Sequence, residues 1–402
     1  MTQQESNSQA TEQGILSVLF VDDETHILDG LRRQFRAKRT QWDMRFADSG
    51  QAALDMLEEK PADVVISDMR MPGMSGAELL KQVQYRWPQT VRFVLSGQTD
   101  ESELLGHVGY IHQYMQKPCD PHVLDNAISR ALELTRMVES PELRRLVTGI
   151  RSLPIISETF DQLLKALDSE DSDAEEIAEI ASQDIGLSAK LLQMVNSAFF
   201  GMPRDVYTVK DAVVLIGTAN LKAMVMAAQI FDGLLDSPET SHVVSNIWSA
   251  SHEIAKECKE AARAHGLQQE ECELISLSGM LSHIGRAIIA RSMPYQYGQA
   301  EQLALAEGIS MDQAEHDVLD IHQEKVGAYA LGLWGFSDTI IESVAYQTTP
   351  RQSQHANLHH PLVWLHRTRG SFEKTGSISQ CELDEAWVEE IMSGSQEERG
   401  AA

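Results

Sequence analysis

The first 130 residues alternate short apolar runs with helical patterns. The runs are ILSVLFV (15–21), WDMRFA (42–47), DVVIS (63–67), VRFVLS (91–96) and IHQYMQ (111–116). Between them, THILDGLRRQFRA puts Ile27, Leu28, Leu31 and Phe35 on one stripe, and AELLKQVQ gathers Leu79, Leu80 and Val83. PHVLDNAISRALEL opens with Pro121 at a first-turn position and carries Val123, Leu124, Ala127, Ile128, Ala131 and Leu134. Apolar residues three and four apart mark helices facing a core, and short continuous apolar runs mark buried strands. Strand and helix in alternation predict an α/β doubly wound domain, a five-stranded parallel sheet covered on both faces.

The pattern then changes. LELTRMVESPELRRLVTGIRSLP (132–154) stays helical around a break at Pro141, and Leu143, Leu146, Val147 and Ile150 extend an apolar stripe. That stripe suits packing against the second domain and equally suits a stiff lever. From about 150 to 368 the period is that of helices and strand-type alternation is scarce, which predicts an all-α domain. DAVVLIGTANLKAMVMAAQIF is apolar with small residues, as closely packed buried helices are, and IWSASHEIAKECKEAARAHG ends on Gly266, a natural C-terminal cap. The expected division is a polar, disordered lead at 1–14, an α/β domain at 15–138, a helical linker at 139–152, an all-α domain at 153–369 and an acidic tail at 370–402. In the tail, CELDEAWVEEIM predicts a short helix with Trp387, Val388 and Ile391 on one edge.

Composition narrows the function classes. No run approaches the roughly 18 apolar residues of a membrane span. MTQQESNSQATEQG lacks the basic and apolar regions of a signal peptide, and the four cysteines form no C-x-x-C pair, so reduced thiols in the cytoplasm are expected. The formal charge of −27 repels a duplex or an anionic membrane on average. With no basic stripe carrying interleaved aromatics to offset it, direct nucleic-acid or membrane binding is not expected.

The chemistry collects at the strand ends, where open parallel sheets keep their reactive groups. The first strand runs out at Asp22-Asp23, the third at Asp68 and the fourth at Ser96-Gly97, and the fifth is followed by Lys117-Pro118. Three carboxylates at one edge repel one another unless a cation sits among them, and an all-oxygen donor set favours a hard ion such as Mg²⁺. One carboxylate can then attack a phosphorus while a lysine and a hydroxyl hold the remaining oxygens.

VDDE (21–24), SDMRMPGMSG (67–76), LSG (95–97) and QKP (116–118) make residues 15–138 resemble the receiver domain of two-component response regulators. The resemblance implies that Asp68 accepts a phosphoryl group from a sensor histidine kinase. It implies that Asp22, Asp23, Asp68 and the backbone carbonyl of Arg70 hold Mg²⁺. Lys117 would contact the phosphoryl group, Ser96 would be the switch hydroxyl and Tyr114 the switch aromatic, and Lys117-Pro118 would be cis. Phosphorylation would then reshape the face made by the fourth helix, fifth strand and fifth helix, with Tyr114 rotating inward.

The second half resembles the HDOD output domain, a relative of the HD and HD-GYP metal phosphohydrolases, through ASQDIGLSAKLLQMVNSAFFG, DAVVLIGTANLKAMV, SGMLSHIGRAI and HQEKVGAYALGLWGF. The metal-ligand slots of those relatives are largely emptied. Ala250 stands at the first His with His252 two residues on, Ser282-His283 replaces the His-Asp pair, and Thr348-Thr349 replaces a late His-His. His322 alone keeps a ligand-type residue, and His355 and His359 in HANLHHP read as a polar loop. A dinuclear hydrolytic centre needs several His and carboxylate ligands, so no metal and no catalysis are expected there. The expected function is a cytoplasmic response regulator whose HDOD domain signals by protein contact, a cyclic-di-GMP enzyme being one candidate target and a homodimer another arrangement. The alternatives are an HD-type cyclic (di)nucleotide phosphodiesterase, or a pseudo-enzyme that regulates one.

Overall fold

The structure, a computed structural model, describes residues 16–97, 110–137, 147–148, 157–169, 172–196, 205–217, 221, 238–353, 355, 357, 359–372 and 384–391. The N-terminal domain runs β1 (Leu16–Val21), α1 (Thr25–Gln34), a 3-10 turn (Phe35–Thr40), β2 (Trp42–Ala47), α2 (Gly50–Glu59), β3 (Val64–Asp68), α3 (Gly76–Arg86), β4 (Val91–Ser96), β5 (Gln113–Gln116) and α4 (Pro121–Met137). All strand pairs are parallel, in the order β2-β1-β3-β4-β5. β3 and β4 are buried at every position, as a strand covered on both faces must be. Helix starts follow local chemistry: Ser49 Oγ accepts the N–H of Ala52, and Ser75 and Glu78 close a reciprocal capping box on α3.

Three details depart from the pattern. The helix expected over THILDGLRRQFRA ends at Gln34 and tightens into the 3-10 turn. The fifth strand starts at Gln113 because the His112 imidazole Nδ1 accepts the Arg92 N–H at 2.9 Å in place of a strand carbonyl. Contrary to the reading from net charge, a basic stretch with nearby aromatics exists: Arg32, Arg33, Arg36, Lys38 and Arg39 directly precede Trp42 and Phe46. The helix expected between β4 and β5 and most of the linker lie outside the described residues.

The helical domain comprises α5 (Ser157–Asp168), α6 (Ala174–Ser182), α7 (Ile185–Asn196), α8 (Val209–Ile216), α9 (Pro238–Ala264), α10 (Gln269–Leu281), α11 (Ile284–Ser292), α12 (Pro294–Glu307), α13 (Met311–Leu319), α14 (Gln323–Leu333), α15 (Asp338–Ala345) and α16 (Pro361–Phe372). α11 and α14 touch backbone to backbone: a Cβ on Gly285 would lie 1.9 Å from the Gln323 carbonyl oxygen, so only glycine fits. Fully buried Arg286 ties α11 to α13, its Nε donating to Glu315 at 2.8 Å and a terminal nitrogen to Asp312 at 2.5 Å. Trp387 and Val388, in the helical stretch 385–391, pack back onto Cys258, Ile275 and Trp364 in a second core.

The two domains share one core cluster. Gln113 Nε2 donates to the Gly332 carbonyl at 3.2 Å, and Gln193 Nε2 to the His112 carbonyl at 3.1 Å. Arg130 donates to the Phe336 carbonyl at 3.0 Å and pairs with Asp338 at 2.7 Å. Fully buried Arg92 adds the linker, reaching the carbonyls of Tyr110, Thr90 and Thr148 at 2.7–2.8 Å.

Candidate functional site

The C-terminal edge of the sheet gathers Asp22, Asp68, Ser96 and Lys117. The backbone fixes each. Asp22 follows β1 and donates its N–H to the Ala47 carbonyl at 3.2 Å, and Lys117 follows β5 and donates to the Ser96 carbonyl at 2.7 Å. Asp68 ends β3 against the start of α3, where a Cβ on Gly76 would lie 1.9 Å from the Asp68 carbonyl oxygen. Gly76 is therefore what allows α3 to begin so close behind Asp68.

Lys117 spans two buried carboxylates. Its Nζ donates to Asp22 Oδ2 at 2.7 Å and also to Asp68 Oδ1. Asp22 is 2% and Asp68 8% exposed. The other oxygens find backbone donors: Glu24 N–H to Asp22 Oδ1 at 2.9 Å and Arg70 N–H to Asp68 Oδ2 at 3.2 Å. Burial pushes the Asp68 carboxyl above the usual carboxylate range, only partly opposed by the hydrogen bond from Lys117. Burial works to lower Lys117, but its hydrogen bonds to Asp22 and Asp68 overcome this and hold the ammonium above its ordinary value. The two directions agree: one cation serves two desolvated carboxylates, so the cation is over-satisfied and the acid under-satisfied.

Ser96 is fully buried, and its hydroxyl has no hydrogen-bond partner in the pocket as it stands. An orphaned buried hydroxyl costs about 1–3 kcal/mol, and an acceptor arriving beside it would recover that. Asp23 differs from its neighbours in being exposed at the rim. The donors fit a hard cation chemically, since carboxylate and carbonyl oxygens are all they offer. Their arrangement does not yet form a cage: among the described residues no three His, Cys, Asp or Glu side chains are set to hold a metal, and Lys117 lies across two of the acids. The Lys117-Pro118 bond is cis.

Tyr114 is already buried, at 7% exposure, with its hydroxyl unpartnered and its acidity suppressed by burial. The expected inward rotation therefore starts from a ring that is already inside. It lines a cavity of about 240 Å³ between the domains, together with Met115, Asn126, Met194 and Trp334. The second domain's place beside this strand was not legible in the strand pattern, because it rests on contacts more than 200 residues away in sequence, such as Gln113 to Gly332.

In the helical domain the residues at the expected ligand slots bond to one another and to neighbouring polar groups. His283 Nδ1 lies 3.2 Å from Ser251 Oγ and 3.3 Å from Ser282 Oγ, and Gln347 Nε2 donates to the Ser282 carbonyl at 2.9 Å. Thr348 Oγ1 donates to buried Glu324 at 3.0 Å. His322 stacks on His316 with ring centroids 4.7 Å apart. Ala250 is core, and half-buried His252 has its basicity lowered by burial. His355 and His359 sit in a loop and face different acids, Glu342 at 3.2 Å and Glu271 at 2.7 Å, so they do not converge.

A parallel five-stranded sheet with an acid–lysine pocket at its carboxyl edge, followed by a helical domain, defines a two-domain signalling architecture. Family models agree on both halves: response regulator receiver domain over residues 18–129 and HDOD domain over residues 153–350. The chain belongs to the response regulators that join a receiver to an HDOD domain. It is similar to the hydrogenase transcriptional regulatory protein HoxA of Cupriavidus necator, 35% identical over 167 residues, or 41% of this chain and 32% of that one. The match thus spans about a third of that relative's length. Among solved structures, the signal receiver domain of an HD domain-containing protein from Pseudomonas fluorescens is 28% identical, covering 31% of this chain and all of that one, with a TM-score of 0.29. A virulence factor from Campylobacter jejuni is 24% identical, covering 59% of this chain and 84% of that one, with a TM-score of 0.47. No helix among the described residues is long and apolar enough to cross a membrane.

Proposed function

We propose that the chain is a phosphorylation-controlled cytoplasmic response regulator in which Asp68 accepts a phosphoryl group from a sensor histidine kinase. The observation that carries this is Lys117 bridging Asp22 and Asp68 beside the unpartnered hydroxyl of Ser96. An Asp68 oxygen attacks the phosphorus, the bond to the donor breaks, and the leaving group departs with its electron pair. Lys117 and Ser96 then have phosphoryl oxygens to bond. Asp22, Asp23, Asp68 and the Arg70 carbonyl would hold Mg²⁺, which when bound offsets the charge that spreads over the transferred group.

The output follows from β5. Lys117 stands at one end of this four-residue strand and Gln113, bonded to the HDOD domain, at the other. At about 3.3 Å per residue the pocket and the domain contact are roughly 13 Å apart. A phosphoryl group adds about −1.5 to −2 charge beside Lys117. Drawing Lys117 and Ser96 toward it shifts the strand under Tyr114, and the docked HDOD face is the element so biased. The HDOD domain then signals by contact with a protein target, an enzyme of cyclic-di-GMP metabolism being the candidate. His283 facing the hydroxyls of Ser251 and Ser282 rather than a carboxylate, and Thr348 in a ligand slot donating to Glu324, favour this reading over hydrolysis. The test is peptide mapping after incubation with acetyl phosphate and MgCl₂. Acid-labile phosphate on Asp68, absent from Asp68→Asn, is expected; equal phosphate on Asp68→Asn refutes the assignment.

A further inference from the structure

The foot of the receiver, at the sheet edge opposite the acidic pocket, carries a concentrated positive patch. RRQFRAKR (32–39) holds five basic residues and no acid in a chain of net charge −27. Arg32 pairs with Asp29 and Lys38 with Asp125. Arg33, Arg36 and Arg39 are exposed and meet no carboxylate among the described residues. This stretch leads into β2, the edge strand of the sheet, which pairs with β1 alone. The opposite edge strand, β5, is held by the HDOD domain through Gln193 and Gly332. Along β2 runs an open groove of about 980 Å³, lined by Arg32, Arg39, Lys60, Asp43, Met44 and Phe46 among others; Asp43 is paired with Lys60 at 2.6 Å, which leaves Arg39 as the groove's cation without a carboxylate partner among the described residues.

We propose that this basic edge binds an acidic, extended segment of a partner protein as a sixth strand beside β2. An unpaired strand edge offers backbone donors and acceptors to any extended chain, and its side-chain surroundings select which. Here they select for negative charge. A second copy of this chain is disfavoured, because it would bring the same arginine-bearing edge and no acidic complement to it. The described acidic stretch of the tail, 384–391, is engaged elsewhere, Arg351 holding Asp384 at 2.5 Å. Single-stranded nucleic acid needs free aromatic faces for base stacking. The aromatics here already carry the chain's own cations: Arg32 lies 4.6 Å over Phe46 and Lys38 5.1 Å over Trp42.

The test uses the full chain and a fluorescent peptide of alternating Val and Glu, with an oligothymidylate of equal charge as competitor class. Anisotropy gives affinity, and amide exchange reads residues 42–47. Binding that weakens roughly tenfold or more in Arg33→Glu/Arg36→Glu/Arg39→Glu, with slowed exchange along 42–47, is the expected result. Arg39→Gln, with a smaller loss, serves if the triple variant does not fold. Peptide affinity indifferent to these changes, unaltered exchange at 42–47 under saturation, or tighter binding of oligothymidylate than of peptide would each overturn the proposal.

Discussion

Replacing Lys117 by Met tests the electrostatic reading of the pocket. The ammonium is the shared partner of Asp22 and Asp68, which are 2% and 8% exposed. Removing one side of a buried ion pair costs about 3–5 kcal/mol. Lys117 retains 25% side-chain exposure, so water shields part of this, and about 2–3 kcal/mol at pH 7 is the reasoned figure. For a domain of this size that lowers the receiver's melting midpoint by about 10 °C. The loss also has a defined pH dependence. In Lys117→Met the carboxyl of Asp68, raised by burial even in the native protein, loses its neutralising cation and rises further. A folded-state pKa above the unfolded value contributes stability below the unfolded pKa, and that contribution is lost as pH rises through the folded pKa. The variant therefore recovers stability relative to the native chain as pH falls from 7 toward 5. Differential scanning fluorimetry across that range, with and without MgCl₂, measures it. A variant as stable as the native chain at pH 7, or one whose deficit grows on acidification, refutes the shared-cation account.

Three further outcomes follow from the same structure. His112 is held neutral and well below the ordinary histidine value by burial and by the neighbouring Arg92 guanidinium, so the unfolded chain binds a proton below about pH 6.5 that the folded chain refuses. Stability therefore falls with acidification by up to about 1.4 kcal/mol per pH unit from this group, and His112→Gln should flatten a urea-midpoint profile between pH 6.5 and 5. Arg130→Ala with Gln193→Ala removes three of the ties between receiver and HDOD domain, and faster amide exchange at Gln113–Gln116 and in α14 is expected, with the acidic pocket unchanged by NMR. Glu315→Gln weakens a charge-assisted bond to fully buried Arg286, which keeps Asp312, and costs about 1–3 kcal/mol in chemical denaturation of the HDOD domain; no measurable loss contradicts the assigned role.

Much of the receiver was legible because its information is local. Short apolar runs alternating with helical patterns mark strands buried on both faces; Asp22, Asp68 and Lys117 each sit one step beyond such a run and Ser96 closes one. Topology alone then brings them to one edge. What the pattern could not give is long-range. The cavity at Tyr114 is walled in part by Met194 and Trp334 of the second domain, and the grip of Arg92 on Thr148 joins strand to linker across 56 positions. The positive patch at 32–39 was hidden for a different reason. Net charge averages over the chain, whereas screening at physiological salt confines electrostatics to about 8 Å, so a local cluster acts on its own. In the HDOD domain the substitutions at the ligand slots could be read slot by slot, but not that Thr348 donates to Glu324, that Ser282 donates to the Gly279 carbonyl, or that Ser251 lies within hydrogen-bond reach of His283.

Coupling between Asp68 and the docked HDOD face is the centre of the account. Amide exchange over β5 and residues 332–338 measures it directly, before and after a beryllium fluoride phosphoryl analogue is added with MgCl₂. The account predicts faster exchange in both segments for the native chain and no change for Asp68→Asn. Loading of Asp68 with exchange unaltered in both segments would contradict it.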